Sequence, residues 1–98
     1  MEIELKKDGT HLDAVMHGRI DTATSAEAES ILIPAIEGID DLVLDFEDIQ
    51  YISSAGLRVL LLVYKKMAVQ GEMKLIHVNE MVREVLDITG FLDIMNVE

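Results

Sequence analysis

Apolar and polar residues alternate at the start of the chain: in MEIELKK, Ile3 and Leu5 fall between charged neighbours, the period of a half-exposed strand. Asp8-Gly9 interrupts the alternation as a turn signal. THLDAVMHG then resumes it with Leu12, Ala14 and Met16 on one face, so the first two elements are expected to form an antiparallel hairpin. The period changes in GRIDTATSAEAESILIPAIEG, where Ala28, Ile31, Leu32, Ala35 and Ile36 recur at helical spacing after a run in which Asp21, Thr22, Thr24 and Ser25 offer N-caps. Pro34 lacks an amide donor and strains the preceding turn, so this helix should kink or end there with a looser last turn, and Gly38 is its natural stop.

The short run DDLVLDF is rich in β-formers and suits a central strand buried on both faces, with EDIQYI as a connection after it. From Ser54 to about Val69 the spacing is helical, stopped by Gln70-Gly71, and EMKLIHV follows as a strand. Strand, helix and strand make a βαβ unit, whose strands should be parallel and whose crossover should be right-handed. NEMVREVLDITG adds a helix with Asn79 as cap, Val82, Val85 and Leu86 as its stripe and Gly90 as its stop, leaving FLDIMNVE as a terminal turn or edge strand. The order is ββαβαβα. It predicts an α/β fold with a mixed four- to five-stranded β-sheet and helices mainly on one face.

At 98 residues the chain has room for one domain, 1–98, with one modest core. The formal net charge of -11, from 19 acidic and 8 basic residues, opposes binding to nucleic acid or anionic lipid. There is no cysteine, which excludes disulfides and thiolate metal sites and is compatible with a reducing cytoplasm. No apolar run approaches the roughly 18 residues of a membrane span, and the N-terminus lacks the pattern of a signal peptide, so no membrane insertion is expected. Without a Gly-rich phosphate loop or dinucleotide fingerprint, no cofactor is expected either. His11, His17 and His77 have no acid at a spacing that signals a metal site and read as surface or edge residues. Asp40-Asp41 and Glu47-Asp48 read as solvated loop ends. Met67, Met73 and Met95 read as core filling, and Met81 as filling or as a partner contact beside a helix start.

The chemistry concentrates in YISSAGLRVLL. Ser53 and Ser54 stand where the free N–H groups of the following helix point, so either can cap it, and one hydroxyl remains over. A phosphate at that place would sit at the positive end of the helix dipole. Arg58, four residues after Ser54, is a candidate guanidinium partner for it or a solvated cation. Ala55 and Gly56 leave room for another protein to approach the hydroxyl. On this helix Leu57, Leu60, Leu61, Tyr64 and Ala68 form the expected core face. Val59, Leu62 and Val63 point elsewhere, to be covered by neighbouring helices or to dock a partner.

LVLDFEDIQYISSAGLRVLL resembles the signature of the STAS domain of bacterial anti-sigma factor antagonists, and GRIDTAT resembles its second landmark at the start of the first helix. The resemblance extends over nearly the whole chain and implies a STAS-like fold. It also implies that Ser54, matching the family's phosphorylated serine, is the acceptor for an anti-sigma factor serine kinase. The unphosphorylated form would bind that kinase and free the sigma factor, a serine phosphatase would reset the switch, and the free protein would be a cytoplasmic monomer and not an enzyme. Gly56 and Leu57 match the residues after the acceptor. Ser53 stands where the motif usually has Asp, and Ala55 where it has Ser or Thr, so Ser53 is the alternative acceptor. Asp21 resembles the acidic residue that shapes the partner surface, a place it would share with Thr22, Ser53, Ser54, Ala55, Gly56, Arg58, Leu62 and Met81; helix capping is the other role open to it. The alternative function is a STAS scaffold, or a subunit of a transporter or signalling assembly, in which Ser54 is only a cap. An acyl-transfer role for Ser54 has no base in the sequence to support it.

Overall fold

A computed structural model describes all residues, 1–98. Strand β1 (Glu2–Asp8) turns at Gly9 into β2 (His11–Ile20), and the two pair antiparallel from Glu2 opposite His17 to Asp8 opposite His11. Helix α1 (Thr22–Ala35), strand β3 (Asp41–Ile52), helix α2 (Ser54–Gln70), strand β4 (Glu72–Ile76) and helix α3 (Glu80–Ile88) follow. A 3-10 turn (Phe91–Asp93) and the two-residue β5 (Asn96–Val97) complete the chain. The sheet order is β1-β2-β3-β4-β5, with β2, β3, β4 and β5 parallel. The mixed five-stranded sheet and the order of the longer elements are those expected from the sequence.

One face of this sheet is the core. Leu12, Ala14 and Met16 of β2, Leu42, Leu44 and Phe46 of β3, and Met73 and Leu75 of β4 are buried in one cluster with Ala28 and Leu32 of α1, Val63 and Met67 of α2, and Val82 and Leu86 of α3. The other face carries His11, Asp13, His17 and Asp45, all only half-buried, so β3 is not apolar on both sides as expected, although Val43 is buried there. Pro34 lies in the last turn of α1, where it has no N–H to give the Ser30 carbonyl; the helix ends at Ala35, and Glu37 N–H donates to the Pro34 carbonyl at 3.3 Å.

EDIQYI is strand rather than connection. Between Val15 and His17 the register advances two residues on β2 but three on β3, from Asp45 to Asp48, and between Gly18 and Arg19 it advances one against two, from Ile49 to Tyr51. These two bulges in β3 break the alternation of period two and leave Phe46, Ile49 and Ile52 buried at intervals of three, which disguises the strand in the sequence. They also bring Ile52 level with Ile20, which decides where α2 begins.

The core face of α2 differs from the expected one. Gly56, Leu57, Val59, Leu60, Val63 and Met67 are buried, Leu61 and Tyr64 are half-buried, and Ala68 is exposed. At about 100° per residue the buried face is turned roughly a quarter revolution from the expected one. The cause is that α2 packs against α1 as well as against the sheet, so Val59 is covered while Leu62 stays 38 % exposed.

Candidate functional site

Both long helices begin at the carboxyl ends of the two central strands. Ser53 follows β3 in an extended conformation, and its N–H donates to the Ile20 carbonyl at the end of β2 at 2.8 Å. Its hydroxyl accepts from Gly56 N–H at 3.2 Å and its carbonyl from Leu57 N–H at 2.8 Å, so Ser53 is the N-cap of α2. Ser54 is the first helical residue and is exposed. The cap role that either serine could have filled therefore belongs to Ser53, which leaves the Ser54 hydroxyl outside the capping scheme.

Asp21 stands in the corresponding place for α1. Its carboxylate accepts from Ala23 N–H at 2.9 Å and Thr24 N–H at 3.0 Å, and its own N–H donates to Thr24 Oγ1 at 3.0 Å, closing a capping box. Thr24 Oγ1 in turn donates to the Arg19 carbonyl at 2.6 Å. The Thr24 backbone N–H, chiefly, holds the Asp21 carboxyl below its usual range; burial opposes it, and the Thr24 hydroxyl, the Ala23 N–H and the Arg19 charge add to the lowering. Because Ile20 accepts the Ser53 bond and Asp21 is the next residue, the two helix starts share one corner of the molecule, where two positive dipole ends converge. The Arg19 guanidinium lies 4.9 Å from the centre of the Tyr51 ring on the same strand ends.

The structure thus gathers Asp21, Thr22, Ser53, Ser54 and Ala55 at one corner, with Thr22 and Ser54 exposed and Asp21, Ser53 and Ala55 half-buried. Gly56 does not belong to an accessible surface. It is buried, and a methyl group on it would come within 2.6 Å of Ile20 Cγ2 and 2.8 Å of Ile52 Cγ1, so its glycine serves the close seating of α2 on the strand ends rather than the approach of another protein. Arg58 turns to α1, where Nη2 lies 3.1 Å from Glu29 Oε1. Leu62 lies about two turns beyond Ser54 on α2. Met81, 60 % exposed, sits on α3, whose start is fastened to β3 by Asn79 Nδ2 donating to the Ile49 carbonyl at 2.8 Å.

Apart from Asp13, two residues from His11 on the same strand, the histidines have partners that the sequence hides because they lie about thirty residues away or on another strand. His11 bridges Asp41 (2.7 Å) and Asp13 (3.0 Å), His17 bridges Glu4 (2.7 Å) and Asp48 (2.8 Å), and His77 meets Asp45 (2.9 Å). His11 and His17 lie on the interior strand β2, and Asp41 and Asp48 belong to β3 instead of loop ends. These contacts raise all three imidazoles, that of His17 to about 9 through Glu4 first and Asp48 second. Burial pushes the Asp45 carboxyl up, but the Glu47 N–H and His77 outweigh it and leave that carboxyl below its usual range. The donor atoms of Glu2, Glu4 and His17, and those of Asp45, Glu47 and His77, lie within 4.8 Å of one another and are the groups of this chain that could hold a cation. Their hydrogen bonds are those of imidazolium–carboxylate pairs. No helix is long and apolar enough to cross a membrane.

The sequence pattern of the STAS domain matches residues 2–98. BtrV of Bordetella bronchiseptica, assigned as an anti-sigma factor antagonist, is 40 % identical over 99 residues, covering 99 % of this chain and 85 % of that protein. Among solved structures, TM1081 of Thermotoga maritima, likewise assigned as an anti-sigma factor antagonist, superposes with a TM-score of 0.90 at 18 % identity over 97 % of this chain and 84 % of that one. The Bacillus cell fate determinant SpoIIAA in its phosphorylated form superposes with a TM-score of 0.75 at 18 % identity, over 99 % and 91 %. With this match across the chain and a relative at 40 % identity, the protein belongs to the STAS domain family, among its anti-sigma factor antagonists.

Proposed function

We propose that the chain is a phosphorylatable binding switch: unphosphorylated, it binds an anti-sigma factor serine kinase, and it releases that kinase once Ser54 is phosphorylated. The observation that carries this reading is the division of labour between the serines. Ser53 caps α2, so Ser54 stands exposed with its hydroxyl free to react and can be modified without loss of the cap bond. The kinase supplies ATP and its metal ion. The Ser54 hydroxyl oxygen forms a new bond to the γ-phosphorus, the bond from that phosphorus to the bridging oxygen of ADP breaks, and the hydroxyl proton is lost to solvent or a base of the kinase.

The product adds nearly two negative charges at a helix N-terminus, where exposed N–H groups and the dipole accommodate them without unfolding. The effect falls on the partner surface, where bulk and charge replace a small hydroxyl. A serine phosphatase returns the protein to its binding form. A role for Ser54 as cap alone is disfavoured by the Ser53 bond; a scaffold role that makes no use of Ser54 is distinguished by the phosphorylation test. The test is incubation with the cognate kinase and ATP, followed by mapping of the added 80 Da, roughly one phosphoryl group, by fragmentation mass spectrometry. Phosphate on Ser54 is the expected result. Phosphate on Ser53 would move the acceptor by one residue, and an unmodified chain that still binds the kinase would overturn the switch.

A further inference from the structure

The chain is strongly acidic, yet α2 carries no Asp or Glu and holds Arg58, Lys65 and Lys66 out of the 8 Lys and Arg residues of the whole sequence. Two of the three cations are occupied within the fold. Arg58 pairs with Glu29 of α1, and Lys66 Nζ lies 2.7 Å from Glu37 Oε1, which holds that carboxyl below its usual range. Lys65 makes no such pair and points to solvent.

Position along the helix adds the second observation. Ser54, Arg58, Leu62, Lys65 and Val69 are all exposed, and at about 100° per residue they fall within an arc of roughly 80°, on the side opposite the buried face. They make one ridge about 22 Å long at 1.5 Å per residue, which starts at the acceptor serine and runs the length of α2. Leu62 is 38 % and Val69 89 % exposed, so apolar and cationic side chains alternate along it. Arg58 and Leu62 of this ridge are legible in the sequence as partner-surface candidates; Lys65 and Val69 extend it.

We propose that this ridge, as far as Lys65 and Val69, is the docking surface for the kinase of the preceding reading, and that the kinase presents an apolar groove with a carboxylate placed opposite Lys65. The inference rests on that reading and adds the chemistry of its partner. The occupant is chosen by charge: α2 is the one basic helix, because α1 carries Glu27 and Glu29 without a Lys or Arg, and α3 sets Arg83 against Glu80, Glu84 and Asp87. A partner that bound through cations would find carboxylates elsewhere on this protein and would be repelled by α2. Phosphate on Ser54 then acts at the head of the same ridge, adding bulk and charge where the partner is seated.

The test measures the affinity of the purified cognate kinase for the unphosphorylated chain and for Lys65→Glu, Val69→Asp and Lys7→Glu, each checked by circular dichroism for an intact fold. Lys7, on exposed β1, receives the same charge change away from α2. The expected result is about tenfold weaker binding for Lys65→Glu and for Val69→Asp, in the range of a rim charge or a contact side chain, with Lys7→Glu unchanged. Equal or tighter binding by Lys65→Glu and Val69→Asp, while Ser54→Asp still releases the kinase, would overturn the ridge and leave the switch standing. Self-association of the unphosphorylated chain that Lys65→Glu abolishes would assign the ridge to a second copy and overturn the proposal. If the parent chain binds no kinase, the switch fails and the ridge with it.

Discussion

At the scale of single residues, neighbouring hydroxyls have different duties. Ser53 accepts the Gly56 N–H and Ser54 stands outside that bond, so substitutions at the two positions should separate stability from modification. Ser53→Ala is expected to cost about 1 kcal/mol, the usual loss for an N-cap, measured by urea denaturation, with Ser54 still phosphorylated. Ser54→Ala should change stability by less than about 0.5 kcal/mol and abolish phosphorylation. Gly56 is as exacting as the cap: Gly56→Ala places a methyl group against Ile20 and Ile52 and should destabilise by about 1–2 kcal/mol, since overpacking outweighs the gain in helix propensity. The sequence placed both serines and the glycine at a helix start. It could not say which hydroxyl caps, because that depends on where β3 ends, and two bulges move that end to Ile52.

At the scale of elements, strands and helices with a clean period were legible: the β1–β2 hairpin, the Asn79 cap and the parallel β3–α2–β4 unit stand as read, while of the four caps open to α1 the fold uses Asp21, and of the two outcomes open at Pro34 it ends the helix at Ala35, short of Gly38. The misreadings have definite physical sources. In β3 the bulges destroyed the alternation, and in α2 apolar residues surround the helix so fully that periodicity alone did not orient it. Except for His11 with Asp13, two residues on in β2, the histidine contacts are tertiary and leave no local trace. His11, His17 and His77 tie β1, β2, β3 and the end of β4 together across the open face of the sheet, and their pKa values are raised in the folded state. A raised imidazole stabilises the fold fully below its unfolded value of 6.5, and for His17 that contribution is lost as pH rises through about 9. The melting temperature is therefore expected to fall as pH is raised across that window, and His17→Gln should flatten the decline. A parent and His17→Gln with parallel profiles would show that the bridge to Glu4 and Asp48 adds nothing beyond what water gives an exposed pair.

At the scale of the whole molecule, an acidic body carries two helix starts at one corner, and the one helix without acids leads away from it. Two bonds, Ser53 N–H to the Ile20 carbonyl and Asn79 Nδ2 to the Ile49 carbonyl, anchor helices to the sheet, and the Ser54 hydroxyl takes part in neither. The change in function is expected at the surface, with the circular dichroism spectra of the two forms superimposable. The most direct test of the switch is titration calorimetry of the cognate anti-sigma factor kinase with the unphosphorylated chain and with the same chain carrying phosphate on Ser54. The account predicts binding by the first and at least about a hundredfold weaker binding by the second, corresponding to roughly 2.7 kcal/mol. Equal affinity of the two forms would contradict it.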